Sequence, residues 1–370
     1  MNYKKDNLNL LEKLQKDCYA QTIHGVDFMV KPIPDPRDCT PLDPRVYEWR
    51  SAAEKAGNPL AEYERTPVEL VRQMDSHPSF DITEGEISVE KQMISTRNGD
   101  TPIYIFKPKG GREIKPMLLY IHGGAYIAGS TEEEIPFCKL VAEEADVILV
   151  GVDYRLAPEY QFPIGLQDCY DAFCWMADHA EEIGGNPNFL AVGGDSAGGT
   201  LSLGVTMLEQ EEVDKGRLPK NRVSYQALIY PAVLVDNPRL PDYRWRALDY
   251  EIDDNDTLTL GAAFSLAALT GEMPLLYCGR EGHILDPLAS PLCAENLSYL
   301  PKTFIAVCEY DYLRLQGEAF IRKLKREGVV CRPFLYRGMD HEFINRVGYC
   351  PQAWDVAVEI AKDFKSEEEK

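Results

Sequence analysis

Apolar positions along the chain change their period twice. Within residues 1–80 they recur at helical spacing, in "LNLLEKLQKDCYA", "RVYEWRSAAEKAG" and "TPVELVRQMDSH", with the Pro-rich crossing "KPIPDPRDCTPLDP" between the first two. Period two then takes over. "ISVEKQMI" and "PIYIFKP" alternate on either side of "STRNGD" and predict a β-hairpin. Beyond it, the apolar runs "MLLYI", "VILVGV", "FLAVG", "YQALIY", "TFIAVC" and "RPFLY" alternate with helical stretches. Strands buried on both faces read this way. The alternation predicts an α/β architecture, a mostly parallel sheet covered by helices on both sides.

One long insertion breaks the rhythm, from about Val233 to Leu285, carrying "DYRWRALDYEIDDND" and the apolar helix "TLTLGAAFSLAALT". A parallel α/β sheet binds ligands at the carboxyl ends of its strands. Residues 1–80 are therefore read as a helical cap segment on a catalytic domain of residues 81–370, with residues 233–285 as a second cap element. The aromatic residues Tyr243, Trp245 and Tyr250 of the insertion could stack on a ligand ring, although cap aromatics more often pack.

Composition removes several alternatives. At 370 residues the chain fits one large α/β domain with an accessory part, and its 45% hydrophobic content is that of an ordinary globular protein. A net charge of -21 argues against nucleic acid and against an anionic membrane surface as partner. No run approaches the ~18 consecutive apolar residues of a membrane span, and "MNYKKDNLNLLEKLQKDCYA" lacks the apolar core of a signal peptide. The ten cysteines form no C-x-x-C pair and no zinc-type spacing with histidine. They are read as free thiols in a cytoplasmic protein without disulfide framework or metal.

The chemistry begins at "FLAVGGDSAGG", where Gly194 to Gly198 fit G-x-S-x-G between an apolar strand and an apolar-periodic helix. Glycines there permit a sharp strand-to-helix turn that exposes the Ser196 hydroxyl. A serine needs a base, and the base an orienting acid, which on this arrangement follow in the order Ser, Asp or Glu, His. His283 and His341 lie beyond Ser196, and His341 alone also follows the last strand, in "RGMDHEF". Asp311 emerges from the strand "TFIAVC" at the same sheet edge; Asp286, Asp340 and Glu309 are weaker candidates for the acid. The strand "MLLYI" ends in His122-Gly123-Gly124-Ala125, a small-residue loop whose amides, with that of Ala197, suit a tetrahedral oxyanion. His122 reads as a brace for that loop.

With these pieces together, the sequence resembles the hormone-sensitive-lipase-like (family IV) branch of the α/β-hydrolase esterases. "HGGAY", "VDYRLAPEYQFP", "GGDSAGG", "LASPL", "LPKTFIAVCEYDYLRLQGEAF" and "GMDHEF" carry the likeness. It implies an α/β-hydrolase fold with an eight-stranded sheet and helical cap, and an acyl-enzyme that hydrolyses short-chain carboxylic esters without cofactor. The family's nucleophile falls on Ser196, its acid on Asp311 and its base on His341. Its oxyanion loop falls on Gly123, Gly124 and Ala125, joined by Ala197. Arg155 and Glu159 of "YRLAPE" read as structural. The chain departs from the pattern at Ala125, Tyr312 and Leu315, and most at Glu342, which stands where glycine normally follows the base. Asp195, Tyr126 and Glu342 are assigned to the substrate pocket. The expected partner is a small-molecule ester, with acyl groups from acetyl to butyryl; a homodimer is compatible with the sequence. The rivals are an amidase or deacetylase of a specialised substrate and a non-catalytic ligand receptor. The presence of His341 argues against the receptor, which needs no base.

Overall fold

Every apolar run read as a strand becomes one. The structure, a computed structural model, describes residues 3–56, 67–72, 79–279 and 282–368. Its strands are β1 (Tyr19–Ile23), β2 (Val26–Lys31), β3 (Ile87–Thr96), β4 (Gly99–Pro108), β5 (Lys115–Ile121), β6 (Ile148–Val152), β7 (Gly185–Asp195), β8 (Val223–Ile229), β9 (Lys302–Tyr310) and β10 (Cys331–Asp340). Its helices are α1 (Tyr3–Lys16), α2 (Pro44–Ala56), α3 (Pro67–Arg72), α4 (Ile135–Ala145), α5 (Ile164–Asp178), α6 (Ala197–Asp214), α7 (Thr257–Ala263), α8 (Ala267–Leu276), α9 (Arg314–Arg326) and α10 (Pro351–Glu368).

All ten strands form one sheet in the order β1-β2-β10-β9-β8-β7-β5-β6-β4-β3. The run from β6 to β2 is parallel, and the antiparallel pairs β1–β2, β4–β6 and β3–β4 stand at its edges. The fold is an α/β-hydrolase sheet flanked by helices. Alternate residues of β5 show the two layers. Leu118 and Tyr120 pack with Phe137 of α4 and Trp354 of α10, whereas Met117, Leu119 and Ile121 pack with Phe173 of α5 and Leu201 of α6. Among the described residues no helix is long and apolar enough to cross a membrane.

Two expectations need correction. The sheet has ten strands rather than eight, and residues 1–80 are not a purely helical cap. The addition is the β1–β2 hairpin, in which β2 runs parallel to β10 with Phe334 opposite Met29. Its signal is present in the chain: Val26, Phe28 and Val30 alternate inward on β2, and His24-Gly25, both at positive φ, makes the two-residue turn. Strong helical periodicity on either side masks it. Helix α1 packs on α10, so residues 3–31 belong with the catalytic sheet. Helices α2 and α3 reach toward the carboxyl edge; the remainder of the proposed N-terminal cap lies partly outside the described residues.

The hairpin is locked by charge. Lys31 is fully buried, with its Nζ 3.0 Å from Asp355 and 2.8 Å from Glu359 of α10. Tyr336 of β10 donates to Asp355 as well, at 2.8 Å. Burial raises the pKa of the Asp355 carboxyl. Burial also acts against ionised Glu359, but Lys31, with Lys362, outweighs it and holds that group at about 2. Glu359 also has Arg332 and Lys362 at 3.0 and 2.8 Å, so removing Lys31 leaves Asp355 as the buried carboxyl without a cation among the described residues. Lys31→Ala should therefore lower the unfolding free energy by about 3–5 kcal/mol, measured by urea denaturation near neutral pH; a loss within experimental error would mean that the carboxyl groups are satisfied without it.

Candidate active site

The site is built where four strands end. Ser196 follows β7 directly and caps α6, with φ 51° and ψ −117°, a conformation that L residues rarely take. Its amide donates to Ile229 O at 2.9 Å and its carbonyl accepts from Ala232 N at 3.0 Å, so β8 and its exit hold the turn from both sides. The flanking glycines are a matter of approach. A Cβ at Gly194 or Gly198 would overlap the carbonyl of Ile121 at the end of β5. The G-x-S-x-G spacing therefore records how closely the turn packs on the neighbouring strand.

The structure brings Ser196, His341 and Asp311 together. His341 Nε2 lies 2.9 Å from Ser196 Oγ, and His341 Nδ1 lies 2.8 Å from Asp311 Oδ2. All three are nearly inaccessible, at 6%, 5% and 1% exposure for the serine, histidine and aspartate. Asp311 follows β9, and its other oxygen accepts the Leu313 amide at 2.9 Å. Burial works against the imidazolium, but the Asp311 carboxylate outweighs it by charge and hydrogen bond. Glu342 and Asp195 add in the same sense, and the His341 pKa is pushed up to about 9. A base held in this way, with its nucleophile 2.9 Å away, is equipped for acyl transfer.

The weaker acid candidates serve elsewhere. Asp340 pairs with Arg346, 2.6 Å away, and with Arg50 of α2, and Arg346 also donates to His341 O at 3.3 Å. Glu309 lies within β9, pairs with Arg337 and accepts the Gly338 amide at 2.8 Å. Asp286 closes a turn by accepting from Leu288 N, and His283 stands 4.0 Å from it on the insertion.

At the loop after β5, Ala125 and Tyr126 take φ 53° and 64°. Among the described residues, no acceptor takes the amides of Gly124, Ala125 or Ala197, whereas the Gly123 amide donates to Glu134 Oε1 at 3.4 Å. Gly123 is thereby set apart from the other three oxyanion candidates. His122 stacks on Tyr154 with centroids 4.4 Å apart, and its Nδ1 lies 2.7 Å from Gly123 O. Burial lowers its pKa, as suits a brace. Arg72 of α3 donates to Ile127 O at 2.7 Å and pairs with Glu159, while Arg155 pairs with Asp168.

Of the residues assigned to the substrate pocket, Tyr126 is turned inward. Its hydroxyl donates to Thr200 at 2.8 Å and its ring stacks on Tyr277 at 3.8 Å. Asp195 is buried beneath the Gly123 loop. Glu342 is half-buried at φ 64°, which accounts for the glycine usual at this position. The insertion's aromatics pack. Tyr250 donates its hydroxyl to Asp311 O and Tyr312 O, both at 2.9 Å, Trp245 donates to Tyr312 O at 3.2 Å, and Tyr243 is buried. The contribution of Tyr250 to seating Asp311 carries no local signal, since 61 residues separate them. A cavity of about 480 Å³ opens elsewhere, among His24, Arg239, Tyr243 and Arg322, and touches none of the three reacting groups; chemistry rather than size identifies the site.

The chain is similar to known proteins over most of its length. The profile of the alpha/beta hydrolase fold family matches residues 118–345. The arylesterase of Saccharolobus solfataricus is 30% identical over 82% of this chain and 92% of that protein. The ethyl acetate hydrolase of Pseudomonas putida is 31% identical over 68% of this chain and 74% of that protein. The structure of a hyperthermophilic esterase from Pyrobaculum calidifontis superposes with a TM-score of 0.70, at 29% identity, covering 89% of this chain and 99% of that one.

The His341 ring should titrate above the ordinary imidazole value of about 6.5. Glu342→Gly removes an anion that favours the imidazolium and should lower that midpoint by about half a unit or more, followed by NMR of the ring. The left-handed strain relieved, about 1 kcal/mol, is offset by the extra freedom glycine adds to the unfolded chain. Thermal stability should change little. An unmoved midpoint would remove Glu342 from the electrostatics of the base.

Proposed function

The chain belongs to the α/β-hydrolase fold family, in its hormone-sensitive-lipase-like branch, and from that premise we propose that it is a serine carboxylesterase acting through an acyl-enzyme. The observation that carries this reading is the hydrogen-bonded line Asp311–His341–Ser196, with separations of 2.8 and 2.9 Å. Neutral His341 takes the proton of Ser196 as its Oγ attacks the ester carbonyl, and Asp311 stabilises the imidazolium formed. The amides of Gly124, Ala125 and Ala197 hold the oxyanion, helped by the positive end of α6. The imidazolium then gives its proton to the leaving alcohol. In the second half His341 activates water, which attacks the acyl carbonyl, and Ser196 leaves with its proton restored. No step calls for a cofactor.

Acyl groups from acetyl to butyryl on small alcohols or phenols are the substrates we assign. Relatives named for aryl esters and ethyl acetate support small groups on both sides of the ester bond. Helices α2 and α3, with the described residues of the 233–285 insertion, form the cap in this reading, tied to the reacting loops by Arg50, Arg72 and Tyr250.

Hydrolysis of p-nitrophenyl esters from acetate to laurate tests the proposal. Turnover should peak at or below butyrate, and Ser196→Ala should reduce kcat by at least about 10⁴-fold. A matched acetanilide should be cleaved far more slowly than the acetate ester. Equal rates on the two would favour an amidase, and full activity in Ser196→Ala would sink the triad.

A further inference from the structure

Two carboxyl groups that acyl transfer does not use lie beneath the loop after β5. Asp195 is the last residue of β7, next to the nucleophile; Glu134 immediately precedes α4. They are 1% and 4% exposed. Glu134 Oε1 accepts from Gly123 N at 3.4 Å, and Tyr120 donates to Asp195 Oδ1 at 3.3 Å. A Cβ on Gly123 would fall 2.5 Å from Asp195 Oδ2, so the loop backbone rests directly on that carboxyl. Both carboxyl groups thus flank one residue, Gly123, Glu134 at its amide and Asp195 against its Cα. Glu134 Oε2 is fully buried and receives no donor among the described residues.

Two carboxylates cannot occupy one buried site as anions, and a carboxylate–carboxylate hydrogen bond requires a proton. A proton on Glu134 Oε2 makes the orphaned atom a donor to Asp195 while Oε1 still accepts from Gly123. We propose that Glu134 is a positioning residue for the esterase reaction: as a neutral acid it shares one proton with Asp195 and clamps the Gly123–Gly124–Ala125 loop onto the nucleophile turn. The proposal rests on the esterase reading for its kinetic consequences but not for the protonation itself.

The surroundings keep the proton on this pair. Tyr120 of β5, Cys138 of α4, Tyr154 and Tyr230 face it, as do Glu133 and Glu342, and His341 is the one group among them able to become a cation. Burial, reinforced by the Asp195 charge, pushes the Glu134 carboxyl well above its usual range; burial likewise lifts Asp195, to about 6. Losing the proton would put a second anion under the amides that must receive the oxyanion. The clamp therefore fails on the alkaline side.

The decisive variants are Glu134→Gln, which keeps one acceptor and one donor, and Glu134→Ala, which keeps neither. Glu134→Ala should lower kcat for p-nitrophenyl acetate by about 10- to 100-fold, the cost of misplacing oxyanion donors, with KM within about threefold. Glu134→Gln should retain most of kcat and lose the alkaline fall of the wild-type profile, because an amide cannot ionise. Infrared spectra of the full-length protein give a readout independent of turnover. Wild type at neutral pH should show a buried carboxylic-acid C=O band that is absent in Glu134→Gln. Lack of that band in wild type, or Glu134→Gln as impaired as Glu134→Ala, would overturn the proposal. A wild type that shows the band but cleaves no ester would instead overturn the esterase reading and leave the shared proton standing.

Discussion

The backbone of the Ser196 turn presses against the carbonyl end of β5 so closely that glycine alone fits at positions 194 and 198. This contact fixes the distance between the nucleophile and the loop that leaves β5, and the rest of the reacting edge is arranged around it. Ser196 is held there at a φ that costs of order 1–3 kcal/mol for a residue with a side chain. The strain is not solitary. Ala125, Tyr126, Tyr230 and Glu342 also sit at positive φ, each on a chain segment leaving the same edge of the sheet. Bent exits concentrate where strands stop, because there the ladder no longer dictates φ and ψ and neighbouring loops do.

Those loops are gripped from outside by segments distant in sequence. Arg50 holds Asp340 ahead of the base, Tyr250 holds the backbone of Asp311, and Arg72 holds the Gly124 turn through Ile127. Each grip is a long side chain reaching a backbone carbonyl or a buried carboxylate. The covering segments therefore serve as scaffolding for the chemistry whatever else they do for substrates. Aromatic residues of the insertion are engaged in the same scaffolding rather than turned to a ligand. Trp245 and Tyr250 pack against each other, and Trp245 lies against Tyr312, the residue that replaces proline after the acid.

What the sequence reveals follows from what is local. Fully buried strands are continuous apolar runs, and their order along the chain orders Ser196, Asp311 and His341 along one edge; the grouping of these three is legible for that reason. The β1–β2 hairpin escapes notice because its alternation is short and sits between stronger helical patterns. Glu134 is invisible for a different reason. In "TEEEIPF" it looks like one of three solvated acids, and only the approach of Asp195, far along the chain, distinguishes it from Glu132 and Glu133. Tyr250 and Arg346 share that fate, being ordinary residues made specific by partners that periodicity does not report.

Strand β2 pairs with β10, so residues 26–31 find their place only beside residues 331–340. During synthesis residues 19–31 emerge about three hundred residues before the strand they dock against. The helix supplying the counter-charges for Lys31, α10, is later still. Until then Lys31 stays in water, and the β1–β2 ribbon has no neighbour to cover it. The same strand β10 delivers His341 at its end. Completion of the sheet's edge and arrival of His341 are thus one event in the life of the chain: in a nascent or truncated polypeptide Ser196 has no imidazole beside it before β10 is in place.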